Sequence, residues 1–141
     1  MTILKTLSIT LLLAGSMVGS AAFAANHPVV SSYTNEIPVK TIFIKHPAAD
    51  DATKYFSSST VVNFEVYKIG SKSDINAMMA SFQKDAAVES INLGVTTGDY
   101  QAFTLVLKST QNKQWFITEF KKAGLNTIKI NRNPIVEVEK L

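Results

Sequence analysis

From Asn63 onward the apolar positions fall into two alternating spacings. In Asn63-Phe64-Glu65-Val66-Tyr67-Lys68-Ile69, Phe64 and Val66 stand two apart among β-branched and aromatic neighbours, the period of a strand with one buried face. Gly70 ends that run. Ile75, Met78, Met79 and Phe82 then recur at i, i+3, i+4 and i+7, the stripe of an amphipathic helix, and Ser71-Lys72-Ser73-Asp74 supplies hydroxyl caps and an early carboxylate at its positive end. Ile91, Leu93 and Val95 alternate as a second strand and Thr96-Thr97-Gly98-Asp99 turns the chain. Phe103, Leu105 and Leu107 alternate on the way back, which predicts a hairpin. A second helix is predicted from about Gln111 to Ala123, capped by Ser109 or Thr110, with Phe116, Phe120 and Ala123 on the covered side and Gly124 as its C-terminal cap. Asn126 to Ile130 reads as a last strand. After the turn-prone Asn131-Arg132-Asn133-Pro134, Ile135 to Val138 extends a strand or pairs at an edge.

The order strand, helix, strand, strand, helix, strand predicts an α+β fold, a ferredoxin-like βαββαβ sandwich. Two crossovers then place both helices on one face of a four-stranded antiparallel sheet. An N-terminal extension precedes it. Ala25 to Lys40, with Pro28 and Pro38 and no sustained period, reads as an extended arm. Val39 to Lys45 holds an apolar cluster between lysines, which predicts an added edge strand. His46-Pro47 ends it, Ala48 to Phe56 forms a short helix, and Ser57-Ser58-Ser59-Thr60 is a polar connector. The chain thus divides into 1–24, 25–60 (the arm with its edge strand) and 61–141, the ferredoxin-like domain.

Residues 1–24 change the picture of where the protein works. Lys5 precedes the apolar run Leu11-Leu12-Leu13-Ala14, and the segment closes on Ala22-Phe23-Ala24, the three-part pattern of a cleaved signal peptide rather than a membrane anchor. The expectation is a periplasmic or secreted protein with no stable membrane insertion after cleavage, whose mature chain starts at Ala25. Of 141 residues, 117 then remain, enough for one domain with one modest core. The formal charge of +3 includes Lys5, which leaves +2 spread in short mixed runs, so the chain carries no nucleic-acid footprint. Cysteine is absent. Stability must come from packing, and a thiol nucleophile, a redox pair and a thiolate metal site are all excluded.

The strand ending at Gly70, the helix after it, Val88-Glu89-Ser90-Ile91-Asn92-Leu93, and Phe120-Lys121-Lys122-Ala123-Gly124-Leu125 before the last strand together resemble a heavy-metal-associated domain. This is the small ferredoxin-like module of copper chaperones and metal-transporting ATPases. The likeness spans Phe64 to Ile130. It implies a loop between the first strand and first helix that carries two cysteines three positions apart; by position these fall at Ser73 and Asn76, neither of which supplies the sulfur that monovalent copper prefers. Met78 and Met79 sit in the helical stripe with Ile75 and Phe82 and read as core.

A different metal pattern lies at the mature terminus. Cleavage after Ala24 exposes Ala25-Asn26-His27, whose amine, two backbone amides and imidazole can surround Cu(II) or Ni(II) in a tetragonal nitrogen plane. No other cofactor is indicated. His46, Asp50 and Asp51 read as a solvated helix start rather than a metal or acid-base cluster, and no nucleophile elbow or phosphate loop surrounds any serine or glycine. Trp115 reads as completing the helix–sheet core, with an alternative role, beside Tyr100 or Tyr67, as an aromatic anchor for a partner. The expected function is a non-enzymatic binding module for an unidentified protein partner. Recognition is expected at the uncovered sheet face, the loop from Ser71 to Asn76, or an edge strand. Cu(II) or Ni(II) binding through Ala25, Asn26 and His27 is the alternative.

Overall fold

The computed structural model describes residues 36–141. They form six strands, β1 (Thr41–Ile44), β2 (Val61–Tyr67), β3 (Val88–Thr97), β4 (Tyr100–Leu107), β5 (Thr127–Ile130) and β6 (Val136–Glu137). Three α-helices join them, α1 (Ala52–Ser58), α2 (Lys72–Gln83) and α3 (Lys113–Lys122), with 3₁₀ turns at Pro47–Asp50 and Val138–Lys140. All six strands belong to one mixed sheet in the order β3-β4-β2-β1-β5-β6, antiparallel throughout except for the parallel pair β1 and β5.

The α+β character is as expected, but the sheet is not the expected four-stranded antiparallel one. Its four strands are present as β2, β3, β4 and β5, and β1 stands between β2 and β5. The run predicted as an edge strand is therefore interior. That placement covers both of its faces: Ile42 and Ile44 are buried on the helix side, and Phe43 is only 9% exposed on the other, as in an interior parallel strand. Lys40 and Lys45 lie just outside the strand, where they mark its ends and do not guard a free edge.

Each helix starts on a side chain that accepts from one of its free N–H groups. Asp51 accepts from the Lys54 N–H at 3.0 Å and starts α1, which buries Tyr55 and Phe56. The Ser71 hydroxyl accepts from the Asp74 N–H while Asp74 accepts from the Ser71 N–H at 2.8 Å, a reciprocal box at the start of α2. The predicted stripe holds: Met78 and Phe82 are buried, with Ile75 and Met79 packed at the margin. For α3 the cap is Asn112, not Ser109 or Thr110; its Oδ1 accepts from the Trp115 N–H at 2.9 Å and the helix starts two residues later than predicted. Gly124, at φ +77°, closes it.

All three helices lie on one side of the sheet. Phe56 of α1 stacks on Phe116 of α3 with centroids 4.6 Å apart, and Phe64 of β2 meets Phe82 of α2 at 6.3 Å and Phe120 of α3 at 5.7 Å. Val62, Phe64 and Val66 alternate with outward residues along β2, as do Phe103, Leu105 and Leu107 along β4, so the other face of these strands receives no helix among the described residues. At the β3 end the hairpin is irregular between Leu93 and Thr96. Buried Gln101 bridges this gap, donating to the Gly94 carbonyl at 2.8 Å and accepting from the Thr96 hydroxyl.

Candidate functional site

The open face is built by the residues that alternate with the core. Across β2 and β4, Asn63 stands opposite Thr104, Glu65 opposite Ala102 and Tyr67 opposite Tyr100, and on β1 Phe43 stands opposite Glu65. Because neighbouring residues along a strand point to opposite faces, the same register that buries Phe64, Val66 and Phe103 delivers Phe43, Tyr67 and Tyr100 to the open side. Their rings touch. Phe43 meets Tyr100 edge-on at 5.2 Å and 85°, and Tyr67 meets Tyr100 at 5.2 Å and 50°.

Charged side chains frame this trio. Lys45 Nζ lies 5.7 Å from the Tyr100 ring centroid and donates to Glu65 Oε2 at 2.7 Å. Lys68 Nζ lies 5.2 Å from the Tyr67 ring and 3.9 Å from Asp99 Oδ2. Hydrogen bonding to Tyr67, with the Asp99 carboxylate adding to it, raises the Lys68 ammonium above its ordinary value. Beside the trio, Phe43, Lys45, Asn63, Glu65, Ala102 and Thr104 line a shallow hollow of about 190 Å³. Around the hairpin end, Lys68, Gly70, Ile75, Asp99, Tyr100 and Gln101 line a second of about 500 Å³. Aromatic bodies with a polar rim suit the binding of another molecule's surface. Among the described residues no group of three His, Cys, Asp or Glu side chains is placed to hold a metal ion.

The structure separates the residues marked by sequence. Ser73 and Asn76 are exposed on α2, while Met78 is buried and Met79 packs against the core. Ala25, Asn26 and His27 lie outside the described residues, as does the predicted signal peptide. His46 caps the 3₁₀ turn, its Nδ1 accepting from the Ala48 N–H at 3.2 Å. Asp50 accepts from Asn131 Nδ2 at 2.7 Å, and Asp51 caps α1. These three have structural partners rather than a shared centre. Asn131, at φ +50°, ties the two segments together by also bonding both backbone groups of His46. Trp115 stays against the core beside Phe116, at 5.0 Å, so the aromatic surface comprises Tyr67 and Tyr100 with Phe43 in place of Trp115. Sequence reading missed Phe43 because it placed β1 at an edge.

Next to the second hollow stands Asp74, the carboxylate of the α2 capping box. Hydrogen bonds from the Ser71 hydroxyl and N–H hold its carboxyl below the usual carboxylate range, with Lys40 adding to the effect. A carboxyl lowered by folding contributes stability that is present above its unfolded value and is lost as pH falls through the folded value. Asp74→Ala is therefore expected to flatten the acid limb of the stability profile below about pH 4, the unfolded aspartate range, as followed by circular dichroism at 222 nm. An unchanged limb would remove Asp74 from this role. No family model, curated protein or solved structure matches this chain.

Proposed function

We propose that the chain is an exported, non-enzymatic binding module that recognises a protein partner on its open sheet face. The observation that carries this reading is the contact of Phe43, Tyr67 and Tyr100 on the face opposite all three helices, with Lys45, Glu65, Lys68 and Asp99 at its rim. Aromatic anchors within a charged rim are the composition that protein interfaces favour, and they hold their shape at little entropic cost. Kinship with heavy-metal-associated domains, on this reading, resides in β2, α2, β3, β4, α3 and β5, with thiol chemistry gone from Ser73 and Asn76 and binding moved to the sheet.

The test is retention of partners from a periplasmic extract by wild type and by a Tyr67→Ser, Tyr100→Ser double variant whose fold is checked by circular dichroism. Proteins held by wild type and lost by the variant are expected. Equal retention by both would reject the face as the recognition surface.

The spacing of Ala25, Asn26 and His27 supports a second reading, Cu(II) or Ni(II) capture at the mature terminus. A chain beginning at Ala25 is expected to show a visible Cu(II) absorption band that His27→Ala abolishes. A band that survives the substitution would place the metal elsewhere.

A further inference from the structure

We propose that the β3 edge is where two copies of this chain meet, strand against antiparallel strand, to form one continuous sheet about a two-fold axis. The two edges of the sheet are treated differently by the sequence. β6 is two residues long, follows Pro134, and carries Glu137 paired with Lys140 at 2.9 Å, the short and charged form that resists further pairing. β3 is ten residues long, and from Ser90 to Thr97 it contains no charge and no proline. Leu93 and Val95 on it are 53% and 77% exposed, and among the described residues no strand pairs with its outer side.

Charge and register select a second copy as the occupant. An uncharged strand offers a charged partner strand nothing to pair with, whereas two identical neutral runs meet without like charges in contact. Irregularities between Val88 and Ser90 and between Leu93 and Thr96 leave Ser90–Leu93 as the longest regularly paired run of the strand. Facing residues of an antiparallel pair share a side of the sheet. Ile91 and Leu93 stand opposite Leu105 and Phe103 on the helix side, and Asn92 stands opposite Thr104 on the open side. Asn92 on the axis therefore sets Leu93 of each copy across from Ile91 of the other and covers the exposed leucine. The same symmetry keeps both open faces on one side, so the two Phe43-Tyr67-Tyr100 clusters share one extended surface.

Sedimentation equilibrium over a concentration series tests this. Wild type is expected to show a reversible monomer–dimer equilibrium that Leu93→Lys abolishes and that Thr118→Lys, on the exposed side of α3, leaves unchanged. Since the chain has no cysteine, Asn92→Cys provides an independent readout. Facing Cα atoms in such a pair lie about 4.5–5.5 Å apart, within disulfide reach. Oxidation is expected to cross-link Asn92→Cys and to leave Thr118→Cys monomeric. A wild type that stays monomeric at every concentration, leaving the edge to some other extended peptide, overturns the proposal. So does a dimer that persists in Leu93→Lys, or equal cross-linking of the two cysteine variants.

Discussion

A chain shortened to residues 61–141, the domain that the periodicity alone delimits, is expected to lose cooperative folding. The cut removes Ile42, Ile44, Tyr55 and Phe56, all buried in the one core. At about 1.5–3 kcal/mol per buried side chain these four account for roughly 6–12 kcal/mol, comparable to the entire stability of a small domain. The loss is also topological. Without β1, β2 has no neighbour on that side and β5 is left with only the two-residue β6. Phe116 and Phe120 lose the cover of Phe56. Thermal unfolding followed by calorimetry should show no transition for this fragment and a single one for residues 36–141. A fragment that melts cooperatively would mean that β2 and β5 can pair directly, as the ferredoxin-like expectation had it.

Phe120→Ala is expected to be the most damaging single truncation. Phe120 is fully buried, and its ring meets those of Phe56, Phe64, Phe82 and Phe116 at 6.3, 5.7, 6.0 and 6.2 Å. Through these rings it joins α1, α2, α3 and β2. Removing it costs lost burial and a cavity bounded by four elements, about 3–5 kcal/mol, which lowers the melting temperature by roughly 15 °C or more. Val95→Ala, at a side chain 77% exposed, should change stability by less than about 0.5 kcal/mol and serves as the control. Similar effects of the two substitutions in urea denaturation would contradict the assignment of the core.

Local pattern carried much of this architecture. Phe64 and Val66 at period two, the stripe Ile75, Met78 and Phe82, and Gly124 after α3 each leave a signal within a few residues, and each element appears where that signal placed it. The position of β1 left no such signal. An interior parallel strand of four residues and a short edge strand have the same length and the same apolar content, and only the partners distinguish them. Those partners, Val66 and Ile128 for Ile42, lie far along the chain. Lysines on either side tipped the reading toward an edge, although Lys40 and Lys45 fall beyond the ladder.

The candidate site inherits that difficulty. Tyr67 and Tyr100 were visible as candidate anchors because aromatic residues favour interfaces, and strand pairing sets the two across from each other on the side away from the helices. Their contact with Phe43 and Lys45 depends on β1 lying next to β2, which alternation within one strand does not encode. Asn131 was legible as a turn residue, since asparagine tolerates positive φ, but its bonds to His46 and Asp50 join segments 81 and 85 positions apart.

The open face and the core both rest on β1 running between β2 and β5, and amide hydrogen exchange across Thr41–Ile44 reads that placement directly. With the strand paired on both sides and buried, its amides are predicted to exchange only on global unfolding, as slowly as those of Phe64 and Val66. Exchange as rapid as that of an exposed loop would place this strand outside the sheet and dissolve the aromatic face with it.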